Sequence, residues 1–354
     1  MRGGSAPTDR RRHAEAATLE AVARNAGVST ATVSRVLNDA SNVAEATRRR
    51  VLRAVTELKY HPNVHARTLA RGRSRTMGMI VSNLENPFFV DIFCSFEAAA
   101  AERGYSVTVE QTGYQPARLV ASVRAMLGRR LAGLAAIVSE MEPTLIEELT
   151  ARGLPIVFFD VGRPARNISI VRVNYEVAMQ RTIEYLYSLG HRRMAFIGHH
   201  ASLAPLEARR RTFIATMDRH TSDAAYTIIE STDGPAGGRE AVRRLLATDF
   251  GATAIVCAND FMAIGVMKEL RARGLSVPLD VSVTGFDNIQ LSEYASPALT
   301  TVDVPRTRIG QLCFNALTGQ DSRLDLGGTL TIDPELLVRE STGQVPRRAA
   351  SVVG

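Results

Sequence analysis

Four polar residues stand where short apolar stretches of the chain end, and their side chains suit the binding of a hydroxyl-rich small molecule. They are Asp160, Asn259, Asp260 and Asp287. Each follows a predicted β-strand, and ligands of open parallel sheets bind beyond the carboxyl ends of the strands. A carboxylate accepts hydroxyl protons, and an amide both donates and accepts. Alternatively, each of these residues caps a helix or fixes a loop.

Two aromatic residues, Phe88 and Phe89, open a predicted helix after the first strand. Pockets for small ligands are commonly lined by aromatic side chains, and a ring can stack on the face of a sugar. The two phenylalanines therefore fit the same class of ligand. The alternative is that they pack in the core.

A different chemistry is indicated by residues 18–38, which read TLEAVARNAGVSTATVSRVLN. Leu19 and Val22 recur at helical spacing, which predicts a helix with one apolar face. Gly27 suits a sharp turn that needs a positive φ, and Ser29 is placed to cap a second helix. Two short helices joined in this way form a helix-turn-helix, whose second helix can enter the major groove of DNA. An ordinary helical hairpin in a core is the alternative.

The distribution of charge favours DNA. Residues 1–75 hold 15 Arg or Lys against 6 Asp or Glu, whereas the rest of the chain carries an excess of two negative charges. A concentrated positive excess beside a helix-turn-helix is typical of proteins that bind the phosphate backbone. An acidic partner or a membrane surface would also accept such a charge.

Composition limits the classes of protein to consider. The 354 residues predict two or three domains. Three widely spaced cysteines, Cys94, Cys257 and Cys313, argue against a disulfide framework or a zinc site. We find no apolar run of membrane-spanning length, and residues 1–17 lack the apolar core of a secretory signal. We therefore expect a cytoplasmic protein.

From residue 76 onward, apolar strand-like segments alternate with helical ones. The predicted strands are residues 77–81, 106–110, 133–138, 155–159, 168–173, 193–197, 225–229, 253–257 and 281–284. Predicted helices include residues 88–103, 175–189, 236–247 and 262–273. This alternation predicts parallel sheets covered on both faces, and the number of strands suits two doubly wound subdomains.

Two further helical segments are predicted between the helix-turn-helix and the first strand. Residues 45–58 have an apolar stripe beside several arginines. Asn63 can cap a short helix at residues 64–71, which Gly72 ends. Two helical turns are too few to be stable alone in water, so we expect this segment to be disordered until something holds it.

Seven segments in one order carry a family resemblance: AGVSTATVSRVLN (26–38), YHPNVHARTLARG (60–72), NPFF (86–89), SLGHRRMAFIG (188–198), ANDFMAIG (258–265), VPLDVSVTGFDN (277–288) and SPALTTV (296–302). With them the chain resembles the lactose-repressor and galactose-repressor (LacI/GalR) family of bacterial transcription regulators over residues 18–342. A helix-turn-helix alone would be weak support for membership in this family. Seven segments, spread over the helical N-terminal region and the region of alternating strands and helices, are strong support.

The resemblance implies an N-terminal all-α helix-turn-helix headpiece and a hinge helix, followed by an α/β core. The core is expected to have two doubly wound parallel-sheet subdomains, like a periplasmic sugar-binding protein. The expected parts are a disordered basic arm (1–17), the headpiece (18–62), the hinge helix and linker (63–75), the core (76–342) and a loose tail (343–354). The N-subdomain would comprise residues 76–173 and 305–332, and the C-subdomain residues 174–304 and 333–342.

The resemblance also implies a homodimer on a pseudo-palindromic double-stranded DNA operator, which agrees with the general match between two-fold proteins and two-fold sites. Tetramers of the family use a C-terminal leucine-heptad tail. Residues 342–354, TGQVPRRAASVVG, have no such repeat. We therefore expect a dimer.

On the second helix, Thr30, Ala31 and Arg35 match the base-contacting positions of the family. A threonine can bond a base edge, an alanine can meet a thymine methyl, and an arginine can make a bidentate contact to guanine; Arg35 could instead be a solvated surface residue. Contacts to phosphate, or helix caps, are expected of Thr18, Ser29, Thr32, Ser34 and Asn38. In the hinge, the DNA-contacting candidates are Asn63, Ala66 and Leu69. Leu69 matches a leucine that wedges into the minor groove; alternatively, it makes a small hydrophobic contact inside the short helix.

The effector candidates named above match family positions, and Arg209 joins them as the arginine of the helix after Gly198. Asp233 stands where the family often has an aromatic residue, so a ring is lost and a negative charge is gained. Asn288 replaces a common second aspartate. His199 and His200 flank the expected cleft, but we expect no metal. The resemblance implies a small effector, a sugar or a sugar derivative.

A transcriptional regulator, most simply a repressor, is therefore the leading hypothesis. The effector would change the closure of the two subdomains and move the start of the core at Arg75 and Thr76 relative to the other protomer. An enzyme is the second class considered, but the chain has no GxGxxG, GxxxxGK[ST], GxSxG or HExxH motif. A stand-alone binding protein is the third, which the basic headpiece opposes. No cofactor is expected.

Overall fold

A computed structural model describes residues 18–37, 40–60, 74–140, 143–199, 203–220, 223–320 and 327–345. The chain forms two compact units, one ending at Ser74 and the other beginning at Arg75. The expected basic arm and most of the expected hinge lie outside the described residues.

The first unit is a three-helix headpiece. Its helices are α1 (Leu19–Ala26), α2 (Thr30–Leu37) and α3 (Glu45–Glu57). Gly27 ends α1 in the left-handed conformation, with φ of 62°, as its position in the turn requires. The small core takes residues from all three helices: Val22, Ala23, Ala26, Val33, Val36, Val51 and Ala54. The predicted helix-turn-helix is confirmed.

The second unit contains twelve strands among its described residues. They are β1 (Thr76–Val81), β2 (Ser106–Gln111), β3 (Gly133–Ile137), β4 (Ile156–Phe159), β5 (Ile168–Val173), β6 (Arg193–His199), β7 (Ala225–Ser231), β8 (Ala254–Cys257), β9 (Ser282–Thr284), β10 (Thr301–Asp303), β11 (Thr329–Ile332) and β12 (Glu335–Leu337).

Helices alternate with these strands. They are α4 (Pro87–Glu102), α5 (Pro116–Leu127), α6 (Pro143–Ala151), α7 (Tyr175–Ser188), α8 (Ala204–Asp218), α9 (Gly234–Leu246), α10 (Asp260–Ala272), α11 (Gln290–Tyr294) and α12 (Arg306–Thr318). None of the described helices is long and apolar enough to cross a membrane.

Two parallel sheets organise this unit. The six-stranded sheet has the order β11-β5-β4-β3-β1-β2, and the four-stranded sheet has the order β7-β6-β8-β9. An antiparallel pair, β10 and β12, forms a third, two-stranded sheet. Strands β3, β4 and β8 are buried along their whole length, as expected for parallel strands covered on both faces. The fold class predicted from the alternation of elements is confirmed.

The chain passes between the two large sheets three times. It leaves the six-stranded sheet after β5 at Asn174, and α12 returns to pack on α4. The third passage lies between β11, which pairs with β5, and β12, which pairs with β10. Asn174 Nδ2 donates a hydrogen bond to Asp333 Oδ1 at 2.8 Å, so two of the passages are tied together.

Candidate functional site

Hydroxyl groups cap both helices of the helix-turn-helix. Thr18 Oγ1 accepts a hydrogen bond from the N–H of Ala21 at 3.3 Å, and Ser29 Oγ accepts one from the N–H of Thr32 at 3.2 Å. These bonds satisfy amides that have no partner inside the helix. Two of the residues predicted to contact phosphate or cap a helix are therefore caps, and both stay exposed.

Helix α2 has one buried face and one exposed face. Val33 and Val36 point into the headpiece core, whereas Thr30, Ala31 and Arg35 are exposed. Thr32 and Ser34, at the boundary between the faces, are half-buried. The three residues predicted to read bases thus share the solvent side of a helix, and this is where a recognition helix must carry them.

Exposed arginines lie on the other two helices of the headpiece. Arg24 of α1 and Arg49, Arg50 and Arg53 of α3 are exposed, so their guanidinium groups can approach phosphates. Arg48 instead supports the fold, because its Nη2 donates to the carbonyl oxygen of Ala40 at 2.7 Å. The four remaining predicted DNA contacts, Asn38, Asn63, Ala66 and Leu69, lie outside the described residues.

A cleft lies in the second unit, beyond the carboxyl ends of its two large sheets. The empty space between its walls is about 480 Å³ when the part open to solvent is included. The lining includes seven of the eight predicted effector residues: Phe88, Phe89, Asp160, Arg209, Asp233, Asn259 and Asp287. Residues of the helices α4 and α8, the residues that precede α9 and α10, and the loops after β4 and β9 are thus brought together.

The strongest charge pair of the cleft joins Arg209 and Asp287. Arg209 Nη2 lies 3.3 Å from Asp287 Oδ1, and the two side chains are 6% and 4% exposed. The guanidinium also lies 4.5 Å from the ring centre of Tyr175 and 4.1 Å from that of Phe286, as in a cation–π contact. Its Nε is buried and has no hydrogen-bond acceptor among the described residues. A ligand oxygen could fill that role.

Burial is the largest influence on the pKa of Asp287 in this pair. It raises the pKa of Asp287 to about 6, and the nearby guanidinium of Arg209 limits the rise. The backbone of Asp287 is unusual as well, with φ of 105°. Arg306 Nη1 donates to the carbonyl oxygen of Asp287 and Arg306 Nε to Asp91 Oδ2 at 2.8 Å, which links this segment to α4.

Asp160 closes the inner end of the cleft. It follows β4 with φ of 60°, and its Oδ1 accepts a hydrogen bond from the N–H of Val173 at 2.7 Å. The hydroxyl of Tyr175 donates to its Oδ2. Burial raises the pKa of Asp160 to about 7, although these bonds oppose the rise. The carboxyl therefore takes up and releases its proton near neutral pH.

Aromatic side chains form one wall. Phe88 and Phe89 meet edge to face with ring centres 5.2 Å apart, and Phe88 lies 5.9 Å from Phe159. Both predicted phenylalanines line the cleft and are also buried core residues. Tyr114 and Tyr175, which were not predicted from the sequence, line the same cleft.

The prediction for Asp260 requires correction. This residue is fully buried behind the cleft wall, and its carboxylate accepts hydrogen bonds from the N–H of Ile289 at 2.8 Å and from the hydroxyl of Thr301. Gly285 makes room for it, because a Cβ there would overlap Asp260 Oδ1. Asn259 caps α10 at the cleft, and Asp260, the next residue, points back into the core. It therefore supports the cleft without lining it.

Three more residues were singled out from the sequence near the expected cleft: His199, His200 and Asn288. His199 lies beside Tyr114, with ring centres 5.0 Å apart, and His200 lies outside the described residues. Asn288, which replaces a common aspartate, bridges Asp303 and Arg339 through hydrogen bonds of 2.7 Å each. It therefore holds the segment around the third passage.

Both units of the chain match known protein families. Residues 18–63 match the bacterial regulatory proteins of the lacI family, and residues 183–342 match a periplasmic binding protein-like domain. The HTH-type transcriptional repressor PurR of Vibrio vulnificus (strain CMCP6) is 33% identical over 333 residues, covering 93% of this chain and 99% of PurR.

Solved structures agree with this placement. The lac repressor dimer bound to operator and the anti-inducer ONPF is 29% identical, with a TM-score of 0.79 and coverage of 93% of this chain and 100% of that one. The complex of the transcriptional regulator CelR with cellobiose is 28% identical, with a TM-score of 0.63 and coverage of 92% and 99%. The relatives named are transcriptional regulators rather than enzymes.

Proposed function

This chain belongs to the lacI family of bacterial regulatory proteins, and from this premise we propose that it is a sequence-specific repressor that binds operator DNA as a homodimer. A small metabolite in the cleft controls its affinity for the operator. The observation that carries the proposal is the exposed face of α2, where Thr30, Ala31 and Arg35 stand beside a capped helix start. Exposed arginines on α1 and α3 supply the contacts to phosphate.

The proposed effector is a sugar or a sugar derivative. Asn259 and Asp287 offer hydrogen-bonding groups to hydroxyls, Arg209 Nε is a buried donor without an acceptor among the described residues, and two phenylalanines offer apolar surface. The CelR relative has cellobiose in its complex, which supports the same ligand class here. Closure around the effector would shift Arg75 and Thr76 and so change how two headpieces are held on DNA. The coupling requires that effector and operator bind the two states of the core differently.

Exposed apolar residues support a homodimer. Leu291 and Tyr294 lie one helical turn apart on α11 and are 49% and 73% exposed. Large apolar side chains grouped on a surface mark a protein contact. We expect Tyr294→Arg to convert the dimer to a monomer in sedimentation experiments, whereas the exposed residue Arg181, changed to Ala, should leave the dimer intact.

Genomic DNA fragments captured by the purified protein and then sequenced would give the operator. With that operator, Arg35→Ala should lower the preference over random duplex by about 5- to 100-fold, as expected for a lost bidentate base contact. Arg49→Ala should weaken specific and non-specific binding alike. If no fragment were enriched, or if both variants changed binding equally, sequence-specific recognition by α2 would be refuted.

A further inference from the structure

Asp233 lies between the two sides of the cleft and contacts both. It precedes α9, next to the four-stranded sheet, while Tyr114 and Asn83 follow β2 and β1 of the six-stranded sheet. The hydroxyl of Tyr114 donates to Asp233 Oδ2 at 2.8 Å, and Asn83 Nδ2 donates to the same oxygen at 3.3 Å. One carboxylate oxygen thus accepts two hydrogen bonds that cross the cleft.

The other carboxylate oxygen is bound within its own subdomain. Asn259 Nδ2 donates to Asp233 Oδ1 at 2.9 Å, and Asn259 is itself fixed because its Oδ1 accepts the N–H of Met262 at 2.8 Å. On the opposite side, Asn83 Oδ1 accepts the N–H of Glu85 at 2.9 Å. The side chains of Asp233 and Asn83 are therefore each oriented by a hydrogen bond on their own side of the cleft.

The surroundings favour these bonds. Tyr114 is packed against Phe89 and His199, with ring centres 6.4 Å and 5.0 Å away. Burial, followed by the charge of Asp233, raises the pKa of Tyr114 well above its usual value. Its hydroxyl therefore keeps its proton and remains a donor. Hydrogen bonds to a charged acceptor are about twice as strong as neutral ones.

We propose that Asp233 is a latch that holds the two subdomains closed before any effector binds. Because two of the three hydrogen bonds to its carboxylate cross the cleft, Asp233 acts on closure. Opening the cleft breaks the bonds to Tyr114 and Asn83 and leaves the bond to Asn259 intact. The bond between Asp160 and Tyr175 lies next to the passage at Asn174, where a hinge rotation moves atoms least.

Cleft closure can be followed by single-molecule energy transfer in the full-length, effector-free protein. Dyes are attached at Ala117→Cys on α5 and Ala236→Cys on α9, both exposed, in a background where the exposed Cys94 is replaced by Ser. Cys257 and Cys313 are buried. An excess of unlabelled protein ensures that each assembly carries one labelled protomer.

The unaltered protein should show mainly the high-transfer, closed population. Asp233→Ala and Tyr114→Phe should each raise the ratio of open to closed molecules by about 10- to 100-fold, because each removes a hydrogen bond to a charged group. The double variant should open hardly more than Asp233→Ala alone. Asp249→Ala, an exposed aspartate outside the cleft, is the matched control and should leave the distribution unchanged.

Three results would overturn the latch: an open population that already dominates in the unaltered protein, no shift in either variant, or a shift in Asp233→Ala without one in Tyr114→Phe. The last would mean that Asp233 only supports the start of α9. Thermal melting by circular dichroism verifies that each variant is folded, and Asn83→Ala serves as a second test from the same side. The effect of the latch on repression rests on the proposed function, but the distance measurement needs no DNA, so the two can fail separately.

Discussion

Replacing Asp160 by Asn tests the electrostatics of the cleft most directly. The pKa of Asp160 is about 7 in the folded protein against an ordinary value of 3.8. Between these values the unfolded chain has lost the proton while the folded protein still holds it, so stability falls as pH rises. Above pH 7 the loss is complete. The amide introduced by Asp160→Asn resembles the protonated carboxyl and does not titrate.

The magnitude follows from the pH window. Between pH 5 and pH 7 the folded protein should lose at most about 1.4 kcal/mol per pH unit through this group, or about 3 kcal/mol in all. If the substitution also changes the hydrogen bonds to Val173 and Tyr175, the stability of Asp160→Asn shifts by the same amount at every pH. We therefore expect the stability of Asp160→Asn, relative to the unaltered protein, to increase by up to about 3 kcal/mol from pH 5 to pH 8.

Urea denaturation followed by far-ultraviolet circular dichroism, at half-unit steps from pH 5 to pH 8, measures this difference. Asp287 titrates in both proteins, so its contribution cancels. Asp249→Asn is the control for a general change of charge and should give a constant difference. A gap between Asp160→Asn and the unaltered protein that stays constant across the range would show that the pKa of Asp160 is not raised by burial.

Three other substitutions test which interactions stabilise the headpiece and the core. Gly27→Ala should lower the stability of the headpiece by about 1 kcal/mol, since its Cβ would meet no atom within 4 Å and only the positive φ is costly; a melt in which the headpiece transition stays put would contradict this. Glu269→Gln should destabilise the core at neutral pH, because Arg243 and two further arginines lower the pKa of Glu269 to about 2. That difference should shrink as pH falls from about 4.5 toward 2, and a gap independent of pH would argue against it. Gly238→Ala should cost about 1–3 kcal/mol by overpacking, since its Cβ would overlap the carbonyl oxygen of Met262, whereas Ala236→Ser on the exposed face should be neutral in the same urea titration.

The fold was largely predictable because its signals are local. Nine strands and four helices of the core, read from apolar runs and helical periodicity, agree with the structure to within a few residues. The turn at Gly27 was found because only glycine adopts that φ freely. Strands β10, β11 and β12 were missed, because segments of only three or four residues are too short for a strand period to stand out from the sequence around them.

The cleft was predictable only in part, because its contacts join distant parts of the chain. Predicted residues just past a strand end line the cleft, but periodicity could not separate Asn259, which lines it, from Asp260, which does not. Tyr114 gave no signal, because its contact with Asp233 spans 119 positions. Only the alignment of two loops from different subdomains creates it.

The passage of α12 and β11 back to the six-stranded sheet has a consequence for synthesis on the ribosome. The four-stranded sheet receives its last strand at Thr284, whereas the six-stranded sheet is completed only by residues that end at Ile332. During synthesis, the six-stranded sheet therefore stays incomplete, with the edge of β5 unpaired. The four-stranded sheet, which is synthesised later, can be completed first. A nascent chain stalled near residue 300 would expose that edge and the face of α4 that α12 covers, which makes it a target for chaperones and proteases.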